Sequence, residues 1–105
     1  MTKWILAVES NCADAARETE FNEWYDKTHL PDVFETPGFI RATRYANTEP
    51  SVGKAKFLAI YEIETDDIDR FMKTHNDNMA KKRAAGRFSE LLVVGSRGFY
   101  KHISS

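Results

Sequence analysis

The residues best suited to do chemistry lie in one run, Trp24-Tyr25-Asp26-Lys27-Thr28-His29-Leu30-Pro31-Asp32-Val33, followed by Pro37-Gly38-Phe39. Histidine has the side-chain pKa nearest neutrality, so an imidazole held among polar partners at a helix end is a candidate proton carrier. Tyr25 stands four residues before His29, on the same helix face. Asp32 follows three residues later, across Pro31, where its carboxylate can accept from one imidazole nitrogen and fix the tautomer. General acid–base help from such a group is worth ~10²–10⁴-fold in rate. The competing role for His29 is a cation at a helix C-terminus, worth ~0.3–1 kcal/mol. Asp32 also suits an N-cap of the following turn. Asp26 and Asp32, six residues apart, fall on different faces of a regular helix and do not make an acid–base pair.

Other candidates lie further along the chain. Tyr61, in an apolar alternating run, either points its hydroxyl into a pocket or is a buried tyrosine with one satisfied hydrogen bond. Trp24 and Tyr25 serve a ligand site or pack in the core. His75 can face His29 across a cavity, although the Asn76-Asp77-Asn78 run after it reads as solvated. His102 reads as surface. Arg41 and Arg44 occupy opposite faces of one strand, because their separation is odd. One of them turns inward, where a guanidinium can hold a carboxylate or enolate oxygen. Arg44 is the candidate carried forward. No His-x-His or Glu-x-x-His spacing exists to converge three metal ligands. The single cysteine, Cys12, excludes an intrachain disulfide and a thiolate zinc site, and reads as a loop thiol. Phosphate-cradling glycine loops and Ser-His-Asp signatures are missing. The expectation is no metal and no cofactor.

The elements that must position these groups follow from periodicity and breakers. Residues 3–9 read as a strand apolar on both faces. A helix is predicted over 13–29, with Asp14 near its start as a cap and Pro31 stopping or interrupting it. Residues 32–35 make a further short turn. Pro37-Gly38 signals a turn into a strand over 39–46, and a polar loop over 47–54 leads to the clearest strand, 56–64. Thr65 is predicted as the N-cap of a helix over 66–85 that ends at Gly86. Ile68, Phe71, Met72, His75 and Met79 form its apolar stripe. A last strand covers 91–103, with Gly95 and Gly98 marking a bulge or kink. The order β-α-β-β-α-β is the α+β, ferredoxin-like plan, in which two helices cover one face of a four-stranded antiparallel sheet. Nothing in the chain covers the other face, yet apolar residues occur on both faces of the first and third strands: Trp4, Leu6 and Val8 oppose Ile5 and Ala7, and Phe57, Ala59, Tyr61 and Ile63 oppose Leu58 and Ile60. Such a face predicts a homodimer of facing sheets.

The 105 residues suit a single domain spanning 1–105. Fifteen Lys and Arg against 16 Asp and Glu give a formal charge of −1, which argues against a nucleic-acid partner. The one basic cluster, Lys81-Lys82-Arg83 with Arg87, reads as the solvated side of a helix rather than an anion site. The first apolar run, Trp4 to Val8, is too short for a signal-peptide core or a membrane span, so no membrane partner and a cytoplasmic location are expected.

Asn22 to Asp32, then Pro37-Gly38-Phe39 and Arg44-Tyr45, resemble the dimeric α/β-barrel superfamily near its EthD-like branch. Those chains show an aromatic residue, a His-x-Pro step and a Pro-Gly-Phe turn into the second strand. The resemblance covers nearly the full length as an order of elements and is motif-specific from about residue 21 to 45. It implies a barrel of two facing sheets with a pocket between sheet and helices in each protomer. Members include cofactor-free monooxygenases, cyclases, isomerases, decarboxylases, dehydratases and proteins without known reaction, so the fold does not choose the chemistry. Cyclases of this superfamily use a tyrosine and a histidine of the second helix. Here Phe71 stands in the comparable region, with His75 one turn later, as the ligand-side pair, and the tyrosine hydroxyl is missing. The expected function is a small cofactor-independent enzyme. It would use His29 for proton transfer, with Asp32 and Tyr61, in a cyclisation, isomerisation, dehydration or decarboxylation. The substrate would be a small hydrophobic, oxygenated, aromatic or polyketide-like molecule. The alternatives are a cofactor-free or haem-dependent monooxygenase of the same fold, and a non-catalytic ligand-binding or assembly module.

Overall fold

The computed structural model describes residues 1–49 and 51–105; Pro50, within the expected 47–54 loop, lies outside the described residues. The strands are β1 (Thr2–Cys12), β2 (Phe39–Ala46), β3 (Phe57–Thr65) and β4 (Leu92–Lys101). They form one antiparallel sheet in the order β2-β3-β1-β4. The helical segments are α1 (Glu18–Trp24), α2 (Leu30–Val33) and α3 (Ile68–Ala84). The β-α-β-β-α-β plan is therefore present. No helix is long and apolar enough to cross a membrane.

The first helical region differs from the prediction. A 3-10 turn (Ala15–Arg17), capped by the Asp14 carboxylate on Ala16 N–H at 3.0 Å, leads into α1. The chain then widens into a π-helical turn over Tyr25–His29, where Leu30 N–H bonds the Tyr25 carbonyl five residues back. It continues through Pro31 into α2. Of the two expectations, a stop or an interruption, the second holds: the regular helix is interrupted just before Pro31 and resumes through it. Its ring would press on the carbonyl four residues earlier in a regular helix, and it falls directly after the wider turn.

Other boundaries shift for identifiable reasons. β1 runs past Glu9 because Ser10, Asn11 and Cys12 pair with Val94, Val93 and Leu92 after a bulge. Gly95 is the extra residue of that bulge, as its position predicts; Gly98 instead pairs regularly with Ala7. Asp67, not Thr65, caps α3, its side chain accepting from Arg70 N–H at 3.1 Å. Thr65 Oγ1 accepts from Asp67 N–H instead, tightening the turn before the helix. Gly86 ends α3 at φ 75°, as expected.

A second bulge decides which arginine turns inward. Phe39 pairs with Ile63 and Arg41 with Glu62, leaving Ile40 as the extra residue. The bulge reverses the alternation, so Phe39, Ala42 and Arg44 share the helix-covered face while Arg41 joins the open face beside Glu62. On the covered face Leu6, Ala59, Tyr61 and Ile63 meet Phe21, Tyr25, Val33 and Phe71 in one core. Gly38, at φ 110°, lets the turn before β2 dock on α3, because a Cβ there would lie 3.0 Å from the Phe71 ring. The opposite face carries half-buried Ile5, Ala7, Leu58 and Ile60 and the exposed rings of Tyr45 and Tyr100.

Candidate functional site

Between the covered face of the sheet and the helices lies a cavity of about 300 Å³. Tyr25 and His29 enter it from the π turn, Tyr61 from the middle of β3, and His75 from α3. Leu6, Val33, Met79, Phe88 and Leu92 supply apolar walls. The volume is at the lower end for drug-sized ligands. No group of three or more His, Cys, Asp and Glu side chains converges as a metal site among the described residues.

His29 is held by rings. Its imidazole stacks on the Trp24 indole, with centroids 4.8 Å apart and planes 22° from parallel. Tyr25 and Phe88 meet it edge-on at 4.9 Å and 5.4 Å. An i,i+5 pair such as Trp24 and His29 lies on different sides of a regular helix with its 3.6 residues per turn. The wider π turn brings the two rings over each other. His29 is 8% exposed. Neither ring nitrogen has a hydrogen-bond partner among the described residues, yet no fully buried polar atom is left unsatisfied, so the nitrogens open onto the cavity. Burial lowers the His29 pKa to about 4, against an opposing pull from the Asp32 carboxylate and with a further push from Arg44. The imidazole is neutral and able to accept a proton at physiological pH.

The tyrosines form a pair, with hydroxyl oxygens 3.0 Å apart. Burial raises both pKa values, most strongly for Tyr61, so both stay protonated. One hydroxyl donates to the other, which leaves one proton to offer a ligand. Arg44 packs behind this pair. Its Cζ lies 4.1 Å from the Tyr25 ring centroid, while Nη1 donates to Asp26 Oδ1 at 2.9 Å and Nη2 to Asn22 Oδ1 at 2.8 Å. Arg44 thus points inward but does not line the cavity.

His75 is 5% exposed, and burial lowers its pKa to about 4, with Arg97 and His29 pushing the same way. Asn78 Nδ2 donates to Thr36 Oγ1 at 2.9 Å, and the same hydroxyl lies 3.5 Å from His75 Nδ1. Asn78 is therefore not solvated as its polar run suggested; its amide also donates to the Asp32 carbonyl at 2.9 Å. Phe71 stacks behind His75, with centroids 6.3 Å apart, and backs the site rather than lining it.

Asp32 does not orient His29. Its carboxylate, 4% exposed, accepts from Arg87 Nε at 2.7 Å. Arg87 itself is placed by the end of α3, where Arg87 N–H bonds the Lys82 carbonyl and Gly86 N–H the Arg83 carbonyl. Trp24 Nε1 donates to the Arg87 carbonyl at 2.9 Å. These contacts hold Phe88 against His29. Arg87 itself is exposed, as expected of this basic cluster, and from there it pairs with the buried Asp32 carboxylate. Thr36, Phe88 and Arg87 escaped sequence reasoning, because each gains its role from a contact between segments far apart in the chain.

A family profile described as "Domain of unknown function (DUF4286)" matches residues 3–102. No curated protein has a matching sequence. Solved structures share the fold at low identity. HapK from Hahella chejuensis aligns at TM-score 0.72 and 14% identity, over 97% of this chain and 94% of that one. SnoaB, a cofactor-independent oxygenase from Streptomyces nogalater, aligns at 0.64 and 15%, over 100% and 97%. An EthD family protein from Bacillus halodurans aligns at 0.57 and 20%, over 93% and 97%. The ferredoxin-like architecture, with EthD-like relatives, agrees with the resemblance read from residues 21–45.

The two depressed histidines set a pH dependence of stability. Their folded pKa values near 4 lie below the ~6.5 of the unfolded chain, so unfolding takes up protons between those values. Their contribution is fully present above pH 6.5 and is lost as pH falls toward 4, by about 2–3 kcal/mol for each group. Urea midpoints should drop between pH 7 and pH 5, and drop less in His29→Gln. A midpoint unchanged over that interval would contradict the neutral, buried imidazoles.

Proposed function

The chain belongs to the DUF4286 family, a domain of unknown function, and we propose that it is a small cofactor-independent enzyme that moves protons on a hydrophobic, oxygenated aromatic molecule. The carrying observation is the buried, neutral His29, whose unpartnered nitrogens open onto the same cavity as the Tyr25–Tyr61 hydroxyl pair. In this reading His29 accepts a proton from a carbon next to a carbonyl. The C–H bonding pair moves to the carbonyl oxygen as an enolate, and Tyr61, backed by Tyr25, donates to that oxygen. The imidazolium then returns its proton to another atom of the same molecule. Cyclisation, isomerisation and dehydration draw on this step; decarboxylation reaches the same enolate by loss of carbon dioxide and shares only the Tyr61 contact and the final delivery of a proton to carbon. Asp32 contributes by holding Arg87 and the Phe88 wall rather than by contacting the imidazole.

A second reading, a cofactor-free oxygenase, is favoured by the likeness to SnoaB. There a phenol that has lost its proton to His29 is itself the electron donor to dioxygen. The open sheet face, with Ile5, Leu58, Ile60, Tyr45 and Tyr100, supports a homodimer in either reading.

Deuterium exchange from solvent into the acidic C–H of 1-phenyl-1,3-butanedione, followed by NMR, tests the proton transfer. Exchange should fall about a hundredfold in His29→Ala and about a hundredfold in Tyr61→Phe. Exchange that survives in His29→Ala would remove His29 from the chemistry. The oxygenase reading expects oxygen uptake on addition of 1-naphthol; an oxygen trace that stays flat rejects it. Sedimentation should show a particle of twice the chain mass, and a lone monomer at micromolar concentration would reject the facing sheets.

A further inference from the structure

The cavity interior and its mouth differ in charge. Inside, the two tyrosines and two histidines are all neutral, so the interior recognises polarity without carrying charge. At the mouth stand Arg83, on the last turn of α3, and Arg97, on β4 across from Val8. No Asp or Glu lines the cavity. No ion pair among the described residues involves either arginine. Neighbouring cations are neutralised: Lys82 pairs with Glu35 at 2.7 Å and Arg87 with Asp32 at 2.7 Å. Arg83 is also aimed, its Cζ lying 4.4 Å from the centroid of the Phe88 ring that walls the cavity. A chain with a net charge of −1 thus presents a locally cationic rim over an uncharged aromatic chamber.

We propose that the site selects an anionic ligand, an aromatic body bearing a carboxylate, with the carboxylate held at the mouth by Arg83 and Arg97 and the rings inserted toward His29 and Tyr61. This rests on the proposed function for the ligand's aromatic body and adds its charge and its direction of entry. A guanidinium suits this task because its planar fork can offer two parallel donors to a carboxylate. Seating the charge at the rim keeps it partly hydrated, so the anion avoids the desolvation that holds the interior groups neutral. The basic cluster at the end of α3 therefore divides into three roles: Lys82 and Arg87 tie helices together, Lys81 faces solvent, and Arg83 addresses the ligand.

The test compares 2-naphthoate with 2-naphthamide by isothermal titration calorimetry on the full-length protein. The two probes share shape and differ in charge. The carboxylate should bind about tenfold tighter at low ionic strength, as a charge-assisted hydrogen bond predicts, and the margin should shrink as salt is raised. Arg83→Gln with Arg97→Gln should erase the preference while leaving 2-naphthamide binding unchanged. Arg97→Gln alone, at an exposed strand position, gives the same direction if the double variant does not fold. Equal affinity of the two probes, or a preference that survives without both arginines, overturns the anionic assignment. If 2-naphthamide binds well in that case, the aromatic pocket of the proposed function still stands. If neither probe binds, the pocket reading falls with the anionic one.

Discussion

The π-helical turn over Tyr25–His29 is the constraint on which the site depends. One extra residue per turn moves the chain out of helical phase at the place where Pro31 would otherwise strain the ladder. The same shift stacks His29 on Trp24 and leaves Tyr25 beside it with its hydroxyl toward β3. A regular helix through this segment would separate the indole and the imidazole. The aromatic enclosure would open, and the imidazole would regain water and its ordinary basicity.

Burial then sets the chemistry. Desolvation is the largest cause of the shifts at Tyr25, His29, Tyr61 and His75, and in each case it favours the uncharged form. A neutral imidazole is an acceptor and a protonated phenol is a donor, so the cavity holds complementary roles without holding net charge. The charges sit one layer out. Arg44 lies behind Tyr25 and donates to Asp26 and Asn22, and Asp32 is locked to Arg87. These outer pairs matter through placement. A buried carboxylate deprived of its guanidinium would be costly, and the Arg87 contact also holds Phe88 against His29.

Two bulges show how small register changes direct function. Ile40 reverses the alternation of β2 and brings Arg44, rather than Arg41, under the helices. Gly95 lets β4 resume pairing with Ser10 to Cys12, which carries Leu92 to the cavity wall. Glycine periodicity announced the second of these. Nothing in the local pattern announced the first, because residues 39–46 read as one uninterrupted strand.

The element order, the antiparallel sheet, the stripe through Phe71, His75 and Met79, and the meeting of His29 with Tyr25 were legible in the chain, because periodicity and helix breakers are local properties. The partner of Asp32 was not. Sequence proximity pointed to His29, three residues away, whereas the fold supplies Arg87, 55 residues away. Thr36, Asn78 and Phe88 were likewise invisible, since their roles exist only where distant segments touch. By itself the sequence determined which side chains could carry a proton and which faces were apolar. Tertiary packing decided which of them meet, which lose water and which charges cancel, because desolvation and hydrogen bonding depend on three-dimensional neighbours rather than on neighbours along the chain.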